Sequence, residues 1–251
     1  MLQRIVEAAE LQPDDIVVEI GSGNGGLTAP LSRNAKKIYA LEIDSSLIPI
    51  LQSQFSGNDH VEIVPIDALH FDFAALSHQW GRKVKVVANL PYEISTPILF
   101  RFFGERESFS LVVLMLQKEV AKRLVASPGS KDYGPLSLWT RLYTETRLVF
   151  SVPPQAFYPE PKVDSAVVRF DFLPQPRIAV DDQETLRKVI HSAFTYRRKM
   201  LANALRMGDF ASLPLEKIQE ALAQSGIDPK VRGEKLSLDE FARAAIALSL
   251  L

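Results

Sequence analysis

The sequence predicts an α/β fold: a mostly parallel sheet with an antiparallel closing strand, followed by a small all-helical C-terminal domain. Three observations support this prediction. Short β-branched runs alternate with helix-like segments, a glycine-rich turn follows the first run, and strand signals cease after residue 172. Alternation of this kind is typical of βα units on a parallel sheet.

Seven apolar runs predict the strands. Five of them alternate with helical patterns such as 2–11 and 45–55, and these runs are Ile16–Ile20, 37–43, 61–66, 84–88 and 109–116. Two further runs, 147–152 and 166–172, are joined by a segment with four prolines. That segment leaves no room for a crossover helix, so the last two runs predict an antiparallel hairpin that closes the sheet.

The Pro-containing segment LPQPR, residues 173–177, marks the predicted domain boundary. Beyond it, helical patterns carry the chain to Leu251. We therefore expect one domain over residues 1–173 and a helical domain over residues 179–251.

Composition limits the classes of function. The chain has 251 residues, 47% of them hydrophobic and 24% charged, with a formal net charge of -1, as in an ordinary globular protein. Cysteine is absent, which excludes disulfides and thiolate metal sites, and the four histidines show no metal-ligand spacing. The longest apolar run, 111–116, is far shorter than the roughly 20 residues of a spanning helix, and no secretory signal is visible. We expect a cytoplasmic protein without a membrane partner.

A glycine-rich turn follows the first predicted strand. In VVEIGSGNGGLT, Gly21, Gly23 and Gly26 satisfy the pattern G-x-G-x-x-G. Backbone N–H groups at such a turn can approach a ligand without interference from Cβ atoms. The pattern alone suits a nicotinamide or flavin enzyme equally well, and a tight turn without a ligand is the structural alternative.

Acidic residues end the next two predicted strands: Glu42 in YALEID and Asp67 in VPIDAL. A carboxylate at the end of the second strand lies where the ribose hydroxyls of a bound nucleotide are expected, and Asp67 can accept a hydrogen bond from an amine such as adenine N6. Either residue can instead cap the helix that follows. The glycine loop, both acids and Asn-Leu-Pro-Tyr at 89–92 share the C-terminal edge of the predicted sheet, where open α/β sheets bind ligands.

Nine segments resemble the ribosomal RNA adenine N6,N6-dimethyltransferase family of the bacterial small-subunit (16S) type. They are VVEIGSGNG, ALEID, IDAL, NLPYEIST, QKEVAKRL, PGSKDYGPLS, FYPEPKVDSAVV, AFTYRRKML and EKLSLDEFARAA, and they extend through nearly all of the chain. NLPY together with FYPEPKVDSAV is highly specific. The resemblance implies a Rossmann-like class I methyltransferase sheet. It also implies methyl transfer from S-adenosylmethionine to N6 of two adjacent adenosines, each dimethylated, in 16S rRNA of the immature small subunit.

The resemblance also implies the site residues. The cofactor would be bound by Glu19, Gly21, Gly23, Glu42, Asp67, Ala68 and Asn89. Within that set, the two glycines lie beside its amino-acid part, Glu42 on the ribose and Asp67 on the adenine amine. The catalytic residues would be Asn89, Leu90, Pro91, Tyr92 and Phe157.

The chemistry of adenine N6 agrees with the segment NLPY. Because the N6 lone pair is delocalised into the ring, an enzyme must orient it towards the methyl group. The Asn89 side-chain oxygen and the Leu90 carbonyl can accept from the N6 hydrogens, while Pro91 fixes φ and removes a competing donor. Tyr92 can stack on one face of an extruded base and Phe157 on the other. Catalysis by positioning, without a metal, is expected; the structural alternative is a strand end with a packed tyrosine.

Basic residues are concentrated in two segments. Between residues 185 and 208 a helical apolar period accompanies six basic residues and no acidic one: Arg187, Lys188, Arg197, Arg198, Lys199 and Arg206. This pattern predicts a packed face and a cationic strip suited to phosphate, or else a solvated helix face. A second basic group consists of Lys118, Lys122, Arg123 and Lys131.

Members of this family usually carry a basic N-terminal segment with a Gly-Gln-Asn-Phe-Leu-like motif that lines the cofactor pocket. The chain begins at Met1, already at the first predicted helix, so we expect weaker cofactor binding that a family-like extension would restore. We also expect a monomer. The alternative functions are a 23S rRNA adenine methyltransferase of the antibiotic-resistance type and a ribosome-assembly binding factor with weak or lost catalysis. A nicotinamide oxidoreductase would leave residues 89–92 and Phe157 without a role.

Overall fold

The computed structural model describes residues 1–251. Its strands are β1 Ile16–Ile20, β2 Lys37–Glu42, β3 Val61–Pro65, β4 Val84–Asn89, β5 Phe109–Gln117, β6 Thr144–Val152 and β7 Ser165–Phe172. They form one sheet in the order β3-β2-β1-β4-β5-β7-β6. The first five strands are parallel, whereas β7 runs antiparallel between β5 and β6. The predicted α/β fold and its antiparallel hairpin are confirmed.

Eleven α-helices accompany the sheet. They are α1 Leu2–Ala8, α2 Thr28–Ser32, α3 Ile48–Gln54, α4 Phe73–Trp80, α5 Ser95–Gly104, α6 Lys118–Leu124, α7 Pro135–Tyr143, α8 Gln183–Thr195, α9 Leu201–Met207, α10 Leu215–Gln224 and α11 Leu238–Ser249. Short 3₁₀ helices lie at Ala68–His70, Tyr92–Ile94, Arg106–Ser108, Pro154–Ala156 and Gly233–Lys235. None of the helices has the length and apolar character that a membrane span requires.

The first helix is shorter than the predicted 2–11. It ends at Ala8, and Glu10 has a φ of 44°, which a right-handed helix does not allow. Pro13 also disfavours helical backbone at the residue before it. The predicted helix 45–55 begins only at Ile48, after a turn in which Asp44 accepts from the Ser46 backbone N–H.

The central strands are buried on both faces, as parallel strands covered by helices should be. Every residue of β1 is buried. Phe73, Phe102 and Phe109 meet edge to face at centroid distances of 5.0 to 5.7 Å. Since each such pair contributes about 0.5–1.5 kcal/mol beyond its buried area, this cluster anchors α4 and α5 to β5.

The chain forms two compact units. One comprises residues 1–122 and 143–174, and the other comprises residues 123–142 and 175–251. The predicted domains 1–173 and 179–251 therefore differ from the structure at residues 123–142. That segment is tied to the C-terminal helices because the buried Tyr133 hydroxyl donates to the Leu236 carbonyl at 2.8 Å, and the Gly129 N–H donates to the Glu234 carbonyl at 2.7 Å.

Candidate functional site

The predicted site residues of the first unit meet at one edge of the sheet. Gly21 follows β1, Glu42 ends β2, Asp67 follows β3 and Asn89 ends β4. Because β3, β2, β1 and β4 are parallel neighbours, these four positions lie together at the carboxyl ends of the strands. Strand order reverses between β1 and β4, which makes this edge the topological switch point where doubly wound sheets bind ligands.

The glycine loop has the backbone conformation that its sequence predicts. Gly21 and Gly23 have φ values of 70° and 56°, in the left-handed region that favours glycine. A Cβ atom on Gly23 would meet nothing within 4 Å, whereas one on Gly21 would lie 3.4 Å from the Pro91 side chain. The loop is thus open at Gly23 and close to residues 89–92 at Gly21.

Glu42 holds this loop in place. Its side chain is 6% exposed. The carboxylate accepts three backbone N–H bonds, from Gly23 at 2.8 Å and from Ile43 and Asp44 at 2.9 Å each. A carboxylate has about four lone-pair positions, so one remains for a ligand. Glu42 does not cap α3, whose N-cap residue is Leu47.

Asp67 acts as a helix cap in the structure. One carboxylate oxygen accepts from the Leu69 N–H at 2.9 Å at the start of the 3₁₀ helix. The other oxygen lies 3.5 Å from His70 Nδ1. The capping alternative is therefore observed, while Oδ2 keeps capacity for a further donor. The next residue, Ala68, is buried, and its carbonyl accepts from Arg101.

Glu19 lies on β1, two residues before the glycine loop. Its side chain is 1% exposed and accepts a 2.5 Å hydrogen bond from the equally buried Thr28 hydroxyl. Burial raises the pKa of Glu19 to about 8, and the negative charge of Glu42 contributes in the same direction. Glu19 is therefore largely protonated at neutral pH.

A cleft of about 310 Å³ lies beside the end of β4. It is lined by Asn89, Leu90, Pro91, Tyr92, Phe157, Pro159 and Pro161. Its volume is at the lower end of the range of about 300–1,000 Å³ for small-molecule sites. The structure thus brings the predicted catalytic residues of β4 and of the hairpin loop to one place.

The side chains that line this cleft differ in their contacts with the rest of the protein. The Asn89 side chain is exposed and makes no hydrogen bond within the protein. The Tyr92 hydroxyl lies 3.2 Å from the Ser165 hydroxyl, while Phe157 packs against the hydrophobic core. Sequence reasoning missed Ser165, whose serine in VDSAV gave no sign that it would reach Tyr92.

The predicted cationic strip is interrupted. The helical period from 185 to 208 is divided into α8 and α9, and Arg197, Arg198 and Lys199 lie in the break. Arg197 donates to Glu234 at 2.7 Å and to the carbonyls of residues 131 and 133. Arg198 and Lys199 are exposed. The apolar period could not reveal the break, because the packed residues continue on either side of it.

Other basic residues join the exposed pair. The backbone N–H groups of Leu201 and Ala202 donate to the carbonyls of Val231 and Pro229, which brings residues 229–231 beside the start of α9. Lys230 and Arg232 are both exposed, and sequence reasoning missed them. Of the second basic group, Lys118 pairs with Asp164 at 2.9 Å, Lys122 and Lys131 are exposed, and Arg123 is half-buried.

The sequence matches the family described as Ribosomal RNA adenine dimethylase over residues 1–249. The chain belongs to that family. A protein of Geobacter metallireducens named Ribosomal RNA small subunit methyltransferase A is 46% identical over 252 residues, covering 100% of this chain and 91% of that protein. A protein of Pelotomaculum thermopropionicum with the same name is 44% identical, covering 98% of this chain and 85% of that protein.

Two solved structures extend the comparison of this adenine dimethylase with known folds. A dimethyladenosine transferase from Plasmodium falciparum superposes with a TM-score of 0.85 at 26% identity, covering 99% of this chain and 95% of that chain. The 23S rRNA methyltransferase ErmE superposes with a TM-score of 0.71 at 25% identity, covering 99% and 96%. The class I methyltransferase fold that the sequence predicts is confirmed, and the chain is an rRNA adenine dimethyltransferase.

Proposed function

We propose that this chain binds S-adenosylmethionine at the glycine loop and transfers methyl groups to N6 of two adjacent adenosines of 16S rRNA, within the immature small subunit. The observation that carries the proposal is the cleft in which Asn89, Tyr92 and Phe157 meet. It adjoins the glycine loop through the close approach of Gly21 to Pro91. An adenine in the cleft would thus lie next to a cofactor on the loop.

The residues of the loop suit this cofactor. The open space in front of Gly23 leaves room for the amino-acid part, and the remaining acceptor position of Glu42 suits a ribose hydroxyl. Ile43 is 69% exposed directly after Glu42, which offers an apolar surface to an adenine ring. Asp67 Oδ2 would accept from the adenine amine, beside the buried Ala68. When bound, S-adenosylmethionine supplies an electrophilic methyl group.

The chain's own residues orient the nucleophile. The Asn89 side-chain oxygen and the Leu90 carbonyl accept from the N6 hydrogens, which localises the lone pair on N6 and orients it towards the methyl group. Tyr92 and Phe157 hold the two faces of the extruded base. No carboxylate or imidazole lines the cleft, so the N6 proton passes to water. Positioning therefore contributes most of the catalysis.

The helical unit would contribute RNA binding. Arg198, Lys199, Lys230 and Arg232 are exposed around the start of α9 and are free to contact phosphates. Arg197 supports this surface from within through its bonds to Glu234 and backbone carbonyls. In the first unit, Lys118 and Lys122 are further candidates. We expect a monomer that acts in the cytoplasm, where bacterial ribosomal subunits mature.

Methyl transfer from labelled cofactor to small subunits isolated before dimethylation tests the proposal. We expect label in two adjacent adenosines of 16S rRNA, mapped by nuclease digestion and mass spectrometry. The same assay is run in parallel with large subunits, and label in large-subunit RNA alone would favour the ErmE-like alternative. RNA binding without any transfer would identify an assembly factor, and neither outcome is compatible with the proposed reaction.

A further inference from the structure

One aromatic side chain beside the cleft has no place in the site described above. Tyr158 is 102% exposed, and it makes no hydrogen bond or ring contact within the protein. Its neighbours Phe157 and Pro159 both line the cleft. Phe157 is half-buried and packs against the hydrophobic core, whereas the Tyr158 ring next to it is open to solvent.

An exposed ring at this position could replace a stacking partner that the substrate loses. When one adenosine leaves its stack to enter the cleft, the neighbouring base loses a stacking partner, and unstacking costs a few kcal/mol. Any base can stack on an aromatic ring, since every base has a π face. In the proposed substrate, the second target adenosine lies directly beside the first and is one of these neighbouring bases.

We propose that Tyr158 forms a second nucleotide subsite, in which its ring stacks on the base adjacent to the adenosine held in the cleft. The inference rests on the proposed function, because it needs an extruded adenosine between Tyr92 and Phe157. Phe157 holds the target base from the inner side of the loop, and Tyr158 holds the neighbouring base from the outer side. The loop at residues 157–161 thereby separates the two adjacent bases.

A stacking subsite predicts a defined kinetic signature. Stacking on the neighbouring base is equally strong before and during methyl transfer, so its loss raises KM and leaves kcat unchanged. Tyr158→Ala should raise the KM for immature small subunits about five- to 150-fold, given the usual strength of base–aromatic stacking of about 1–3 kcal/mol. Tyr158→Phe keeps the ring and should match the wild type.

The experiment compares these two variants with Val163→Ala. Val163 is 43% exposed, lies between residue 161 and β7, and lines no part of the cleft, so its truncation controls for a change in the conformation of the connection between β6 and β7. For each protein, steady-state kcat and KM are measured with immature small subunits, and cofactor affinity is measured by calorimetry. Cofactor affinity should be equal in all four proteins.

The outcomes separate this inference from the proposed function. An inactive wild type would overturn the proposed function itself. With an active wild type, Tyr158→Ala within twofold of the wild-type KM would overturn only the second subsite. If Tyr158→Phe raised the KM as much as Tyr158→Ala, the effect would belong to the hydroxyl. If Val163→Ala raised the KM equally, the effect would come from a change in loop conformation. Either result would also overturn the stacking subsite.

Discussion

The Tyr92 hydroxyl lies 3.2 Å from the Ser165 hydroxyl, which links the segment after β4 to the first residue of β7. Ser165 is 1% exposed, whereas the Tyr92 side chain is 36% exposed. The ring that borders the cleft is therefore oriented by a buried hydroxyl behind it. The hairpin β6–β7 that closes the sheet therefore helps to position Tyr92, through Ser165.

This contact changes what Tyr92→Phe should do. From the sequence alone the substitution would be nearly silent, because the ring is kept. Since a typical hydrogen bond contributes about 0.5–1.5 kcal/mol, Tyr92→Phe and Ser165→Ala should each lower the single-turnover methyl-transfer rate by about two- to tenfold. Ser165→Thr retains a hydroxyl and should keep most of the rate.

The double variant Ser165→Ala/Tyr92→Phe provides the control. If the two hydroxyls act only through each other, the double variant should be no slower than either single variant. Additive losses would mean that the two hydroxyls act separately and that their contact does not orient the ring.

Asn89→Ala should separate orientation from binding. In the proposed reaction the exposed Asn89 amide accepts from N6 mainly in the transition state, so its loss should lower the single-turnover rate far more than the affinity for RNA. Tyr92→Ala should lower both, because stacking also holds the base in the ground state. A near-normal single-turnover rate for Asn89→Ala would mean that residues 89–92 only end the strand and do not orient the substrate.

The sequence was sufficient to predict the sheet and the edge at which the candidate site residues meet. Alternating apolar runs and the glycine turn are local signals, and parallel strands necessarily bring Gly21, Glu42 and Asn89 to one edge. The remaining features depend on contacts between residues far apart in the chain. The ion pair between Arg197 and Glu234 and the hydrogen bond from the Tyr133 hydroxyl to the Leu236 carbonyl have no local sequence pattern, so the cationic strip and the domain boundary were incompletely predicted.

Glu42→Ala should weaken cofactor binding by about 1–3 kcal/mol, the range for the loss of a buried hydrogen-bond partner. It should also lower the melting temperature, because the Gly23 N–H loses its acceptor. Calorimetry gives the affinity. The matched control is Glu62→Ala on β3, an exposed residue paired only with Lys37, which should change neither quantity. Unchanged affinity in Glu42→Ala would remove Glu42 from the site.

The basic residues at 197–199 should divide into two classes. Arg198→Ala/Lys199→Ala removes exposed charges and should weaken RNA binding while flattening its dependence on salt, because each phosphate contact releases counterions. Arg197→Ala breaks the ion pair with Glu234 and should lower the melting temperature instead. Filter-binding titrations at several salt concentrations distinguish them. If the double variant kept the wild-type dependence of RNA affinity on salt concentration, these residues would not contact phosphates.

Glu19 should make the stability of the protein fall as pH rises. Its ordinary pKa of 4.5 is raised by burial to about 8 in the folded chain, so the folded state binds a proton more tightly than the unfolded state does. The stabilisation is complete below pH 4.5 and is lost as pH rises towards 8. In Glu19→Gln the side-chain oxygen can still accept from Thr28, but the amide cannot ionise. The melting temperature of the variant should therefore depend less on pH in this window. Because both proteins contain the same histidines, the difference between their pH dependences of melting temperature reports on Glu19 alone. Parallel melting curves for the two proteins between pH 5 and pH 8 would contradict the protonated state assigned to Glu19.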